Sequence, residues 1–209
     1  MFSTDRSVAP GGLVVHAPWD KRLARALVRP LVGMPVTPNH ITGLCLVTGL
    51  TGALLIAKGG TAMHWGALLF MVSALLDHAD GELARMTGQT SRFGQIFDVL
   101  TGGIVHVALF CGIGYGLRDS LLHSWALPMG IVAGLAVAAI FVLVFELERR
   151  VDREAISQRS LAGFEIEDIM YLVGPIVWLG GLVPFLALAS IGAPVFLAYQ
   201  IREFRRRCP

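Results

Sequence analysis

Three carboxylates stand at fixed intervals between two apolar stretches. Asp77 and Asp80 lie three apart in the run Asp77-His78-Ala79-Asp80-Gly81-Glu82-Leu83-Ala84-Arg85, and Asp98 follows four residues after Gly94. On a helix, positions i, i+3 and i+7 share a face, so Asp77, Asp80 and Ala84 align. Gly81 removes a side chain beside Asp80 and lets a bulky ligand approach the backbone. Arg85, one turn further on, offers a planar guanidinium to a phosphate. Oxygen ligands of this kind suit a hard cation, Mg2+ or Mn2+. Carboxylates within or beside membrane spans are costly and mark function. The residues therefore predict metal and phosphate chemistry at a membrane surface, with Asp77, Asp80 and Asp98 converging on one cation site.

The elements that must position these groups are apolar. The chain has 209 residues, 55% hydrophobic and 15% charged, with a mean hydropathy of +0.66. Soluble domains carry about 25% charged residues. The surplus of apolar side chains exceeds what a core of this size can bury and must face lipid. A net charge of +2 gives no basis for a nucleic-acid partner. Six spans of about 20 residues are predicted, at roughly 39–57, 63–85, 94–117, 124–146, 167–181 and 184–203. Residues 1–38 form a cytoplasmic and interfacial segment, 39–203 the membrane domain and 204–209 a basic tail. Fifteen of the 17 Lys and Arg residues fall on one side of this topology, and only Lys58 and Arg118 on the other. The positive-inside bias then places both termini, and the carboxylates, at the cytoplasmic face of the inner membrane.

Before the first span, Trp19 to Arg29 has helical periodicity, with Trp19, Leu23, Ala26 and Leu27 gathered on one face. An amphipathic helix in the headgroup layer is expected there. Met1 to Leu13 has no apolar core after Arg6, so insertion through an uncleaved first span is expected. Cys45, Cys111 and Cys208 match no metal or redox spacing and read as small hydrophobes. Gly52, Gly66 and the pair Gly102-Gly103 suit close helix packing.

The spacing resembles that of the CDP-alcohol phosphotransferases, whose motif is Asp-x2-Asp-Gly-x2-Ala-Arg-x8-Gly-x3-Asp-x3-Asp. Asp77, Asp80, Gly81, Ala84, Arg85, Gly94 and Asp98 match in register. Thr37-Pro38-Asn39-His40-Ile41-Thr42 also looks like the family's approach to its first span. The resemblance implies an all-α integral membrane protein of six transmembrane helices behind an interfacial helix, acting as a homodimer. It implies transfer of a substituted phosphate from a CDP-linked lipid, such as CDP-diacylglycerol, to an alcohol acceptor, with release of CMP. Asp77, Asp80 and Asp98 would hold Mg2+ or Mn2+. Gly81, Ala84, Arg85 and Gly94 would frame the nucleotide.

The motif departs at its last position, where Gly102 stands in place of an aspartate that in the family helps hold metal and serves as general base. His106, one turn beyond on the same face, is the candidate substitute base. Packing against a neighbouring helix is the competing reading. Glu82 and His78 are further candidates from the preceding helix. Asn39, Arg149 and Arg153 are candidate phosphate or acceptor contacts, with helix capping as the simpler role for Asn39. Glu165, Glu167 and Asp168 could meet a polar acceptor or favour a helix start. Two other functions compete: a catalytically impaired relative that binds CDP-lipid or partners another membrane enzyme, and a small ion transporter. The transporter is disfavoured because its acidic groups would lie near the midplane.

Overall fold

Pro38 opens a helix at a position where its missing N–H costs nothing, and Gly59 ends it at φ 74°, which only glycine adopts without strain. That sets the pattern of the molecule: apolar helices punctuated by Pro, Gly and Ser. In the computed structural model, residues 19–150 and 170–207 are described, and no strand is found among them. The helices are α1 (Trp19–Val28), α2 (Pro38–Lys58), α3 (Gly60–Thr87), α4 (Arg92–Gly116), α5 (Ala126–Arg150), α6 (Val173–Trp178) and α7 (Leu182–Arg207). The all-helical membrane fold expected from the sequence is present.

Among the described residues, four helical stretches are long and apolar enough to cross a bilayer: Pro38–Lys58, Arg92–Gly116, His123–Leu147 and Leu182–Arg206. α3 is long enough as well, at 28 residues, but it carries the motif's charges. The expected fifth span, 167–181, begins outside the described residues. Its described part, 170–181, holds the six-residue α6. This part runs antiparallel to α3, with Tyr171 against His78 and Gly174 against Met71.

α2 and α3 are held together along their length. A Cβ on Gly52 would lie 2.8 Å from the Gly66 carbonyl oxygen, so the two backbones touch and neither position accepts a side chain. Nearer the motif, the Ser73 hydroxyl donates to the Cys45 carbonyl at 2.8 Å. The core between α3, α4, α5 and α7 includes Phe70, Val105, Leu109, Phe110, Ala133 and Leu186, all buried. Phe110 and Phe185 stack at 5.9 Å and seat α7 on α4.

α1 meets both the bundle and its surroundings, and one expectation, the cap of α2, needs correction. The face of α1 that packs inward is Ala24 and Val28, which are buried against Ala79 and Leu83 of α3. Leu23 and Leu27, expected on the apolar face of an interfacial helix, are 47% exposed. Small residues let the helix approach α3 closely, and the leucines remain for the bilayer. The cap of α2 is Thr37, not Asn39, and the Thr37 N–H donates to His40 Nδ1 at 3.2 Å.

Candidate metal and phosphate site

Ser91 caps α4 by accepting the Gly94 N–H at 3.0 Å, and Gly88 ends α3 in the left-handed region at φ 68°. The loop between them is short and keeps the two helix ends adjacent, as the sequence leads one to expect. α4 packs along α2 and α5 and barely touches α3. The two motif-bearing helices diverge from their shared loop, and α2 forms the wall behind the gap.

That wall meets the carboxylates directly. The Thr42 hydroxyl donates to Asp80 Oδ2 at 2.5 Å, in a fully buried contact. Cys45 Sγ lies 3.3 Å from Ser73 Oγ and 4.0 Å from Asp77 Oδ1. Asp80 is buried, while Asp77 and Asp98 are half-buried. From α4, Asp98 stands within electrostatic reach of Asp80 and of Cys45. Among the described residues no three His, Cys, Asp or Glu groups close around a single cation.

The donor set still fits a hard divalent cation. Asp80 makes no ion pair with Lys or Arg among the described residues, although it is buried and has Asp98 nearby. Buried carboxylates of like charge need a compensating cation. Oxygen atoms from Asp77, Asp80 and Asp98 are the ligands such a cation prefers.

Arg85 is folded back over Gly81. A Cβ on Gly81 would lie 3.4 Å from Arg85 Nη1, so the glycine makes room for the guanidinium itself. Nη2 of Arg85 donates to Glu82 Oε1 at 2.8 Å. Ala84 is half-buried on the same helix. Gly94 sits against α2, where a Cβ would meet Asn39 Oδ1 at 3.1 Å. Asn39 thus lies at the mouth of the gap beside Gly94. Arg149 is exposed and paired with Glu146 at 3.3 Å. Arg153, Glu165, Glu167 and Asp168 lie outside the described residues.

At the motif's divergent position, the space belongs to an aromatic ring. A Cβ on Gly102 would lie 3.3 Å from Phe141 Cε1 of α5. His106 Nδ1 donates to the Gly102 carbonyl at 2.7 Å, and its ring lies 4.8 Å from Phe141 and 5.7 Å from Phe70. This bond places the proton on Nδ1 and makes Nε2 the basic nitrogen. His78 Nδ1 donates in the same way to the Ala74 carbonyl at 2.9 Å, with the Tyr171 hydroxyl 3.5 Å away.

Several participants escape a sequence reading. Thr42 is visible only as part of the approach to α2, and nothing in its spacing assigns it to Asp80. Phe141 carries no signal at all, because its role depends on how α4 and α5 cross. Arg25 reads as a topological anchor. The salt bridge from its Nε to Glu82 Oε2, at 3.0 Å, depends on the docking of α1.

These features define a class: helical membrane proteins with an acidic gap at one end of the bundle, flanked by an arginine. The chain belongs to the CDP-alcohol phosphatidyltransferase family, whose model matches residues 35–197. It is 30% identical over 124 residues to a phosphatidylinositol phosphate synthase of Corynebacterium glutamicum, covering 57% of this chain and 54% of that protein. It is 31% identical over 105 residues to the phosphatidylinositol phosphate synthase of Mycobacterium marinum, covering 48% and 44%. A bifunctional IPC transferase and DIPP synthase of Aquifex aeolicus matches at 30% identity over 93 residues, covering 44% of this chain and 21% of that protein. The chain spans about half the length of these two phosphatidylinositol phosphate synthases.

Proposed function

We propose that the chain transfers a substituted phosphate from a CDP-linked lipid, CDP-diacylglycerol, to an alcohol acceptor in phospholipid synthesis, with CMP as the leaving group. The observation that carries this reading is the in-register motif, split between α3 and α4, with Asp98 within electrostatic reach of Asp80. The acceptor oxygen forms a bond to the lipid-side phosphorus, the bond from that phosphorus to the CMP oxygen breaks, and the hydroxyl proton passes to a base. Divalent-metal dependence is general in the family, and Mg2+ or Mn2+ held by Asp77, Asp80 and Asp98 would neutralise charge on the pyrophosphate oxygens.

The chain's own groups divide the remaining work. Thr42 holds the Asp80 carboxylate in orientation. Arg85 presents its guanidinium to a nucleotide phosphate. Gly81, Ala84 and Gly94 shape the nucleotide's side of the gap, with Asn39 at its mouth. His106 is the candidate proton acceptor, with Nε2 as the basic atom. An apolar groove of about 360 Å³ beneath α1, lined by Val28, Ile41, Leu44, Leu76 and Ala79, gives an acyl chain of the donor a place beside the carboxylates. The site faces the cytoplasm in this reading, and the working unit is a homodimer.

A second reading has its own support in the contact between Gly102 and Phe141. A ring that fills the place of the missing acid suits a relative that binds CDP-lipid without turnover. Protein reconstituted in lipid with CDP-diacylglycerol and Mg2+ or Mn2+ separates the two. Acceptor-dependent release of CMP supports the enzyme. Metal-dependent nucleotide binding with no CMP release across a broad acceptor panel supports the binder.

A further inference from the structure

Glu82 occupies a position that the motif leaves open, yet its side chain is only 4% exposed. A buried carboxylate needs partners, and Glu82 has two, one on each oxygen. Oε1 accepts from Nη2 of Arg85 at 2.8 Å, and Oε2 accepts from Nε of Arg25 at 3.0 Å. The first partner belongs to the motif and the second to the surface helix α1. Bonds between ionised partners are about twice as strong as neutral ones and fix geometry as well as energy. Glu82 thus holds the half-exposed Arg85 folded back over Gly81, on the same helix as Asp80. A guanidinium has five N–H donors, so one bond to Glu82 orients Arg85 without consuming its capacity for a phosphate.

The second partner is itself fixed by packing. Ala24 and Val28, which flank Arg25 on the inner side of α1, are fully buried against Ala79 and Leu83. We propose that Glu82 is a positioning residue that aims Arg85 at a nucleotide diphosphate, and that Arg25 makes the docking of α1 a condition of that aim. The inference rests on the nucleotide reading given above. Its distinctive content is the dependence on a carboxylate and on a surface helix that do not themselves touch the ligand.

Full-length protein in lipid, with Mn2+, provides the test through CDP binding and arginine-selective dicarbonyl labelling of Arg85 read by mass spectrometry. Glu82→Gln keeps the side-chain size and should weaken CDP binding about tenfold. It should also raise Arg85 labelling severalfold. Arg25→Gln should shift both readouts in the same direction by a smaller factor. The double variant should match Glu82→Gln alone, because Arg25 acts through Glu82. Glu82→Asp should recover part of the affinity. A purely structural clasp predicts a lower melting temperature with unchanged CDP affinity, and that result overturns the proposal. Unchanged Arg85 labelling in both single variants overturns it as well. If the unaltered protein binds no CDP, the enzyme reading falls, and the labelling result alone decides whether Glu82 holds Arg85.

Discussion

Gly102 of α4 and Phe141 of α5 fit each other: a Cβ at position 102 would come within 3.3 Å of the ring edge. The absence of an acid at this position is thus built into the packing of two helices. Gly102→Asp alone should leave CMP release unchanged, because the carboxylate meets an apolar ring in a space that is already filled. Gly102→Asp combined with Phe141→Ala should raise CMP release at least tenfold, as expected for a restored general base, whose contribution is about 10²–10⁴. Phe141→Ala alone serves as the control and should not raise it.

Asp80 is buried, has Asp98 within electrostatic reach and lacks an ion pair with Lys or Arg among the described residues. Asp80→Asn should therefore stabilise the protein in EDTA, on the order of 1–3 kcal/mol, by removing a buried charge. Mg2+ or Mn2+ should raise the melting temperature of the unaltered protein, and the variant should lose that rise. Thermal unfolding in detergent with and without metal measures both effects.

Thr42→Val removes the donor on Asp80 Oδ2 and leaves a buried carboxylate short of a partner. A bond of this kind, to a charged group, is worth about 1.5–3 kcal/mol. Metal-dependent CDP binding should weaken about tenfold or more, and Thr42→Ser should restore most of it. Titration of CDP at fixed Mn2+ distinguishes the three proteins.

His106→Gln preserves a group able to bond the Gly102 carbonyl but removes the basic nitrogen. If His106 accepts the acceptor's proton, CMP release should fall on the order of 10²-fold with the CDP affinity retained. An unchanged rate together with a lower melting temperature assigns the ring to packing between Phe70 and Phe141.

The motif residues were largely legible, and those that pack around them were not. Asp77, Asp80, Gly81, Arg85, Gly94 and Asp98 stand out because a fixed spacing of charged and small residues is improbable in an apolar chain. The Gly52 and Gly66 contact was legible for a similar reason, since small residues in a span serve close approach. The inner face of α1 was not legible, because hydrophobicity marks what avoids water, and in a membrane protein lipid satisfies that as well as a core does. Leu23 and Leu27 follow the first route, and Ala24 and Val28 the second. The separation of α3 from α4 was also hidden. A short loop fixes where two helices meet, but their crossing is set by what each packs against, here α2 and α5.

The bond from Thr42 to Asp80, the bond from Ser73 to Cys45 and the backbone contact at Gly52 and Gly66 fasten α2 to α3 at three heights. The pair therefore behaves as a single rigid post, with Asp77 and Asp80 set in it. Asp98 stands on α4, outside that post, so in the proposed reaction a cation shared by all three aspartates would also act as a tie between α4 and the pair.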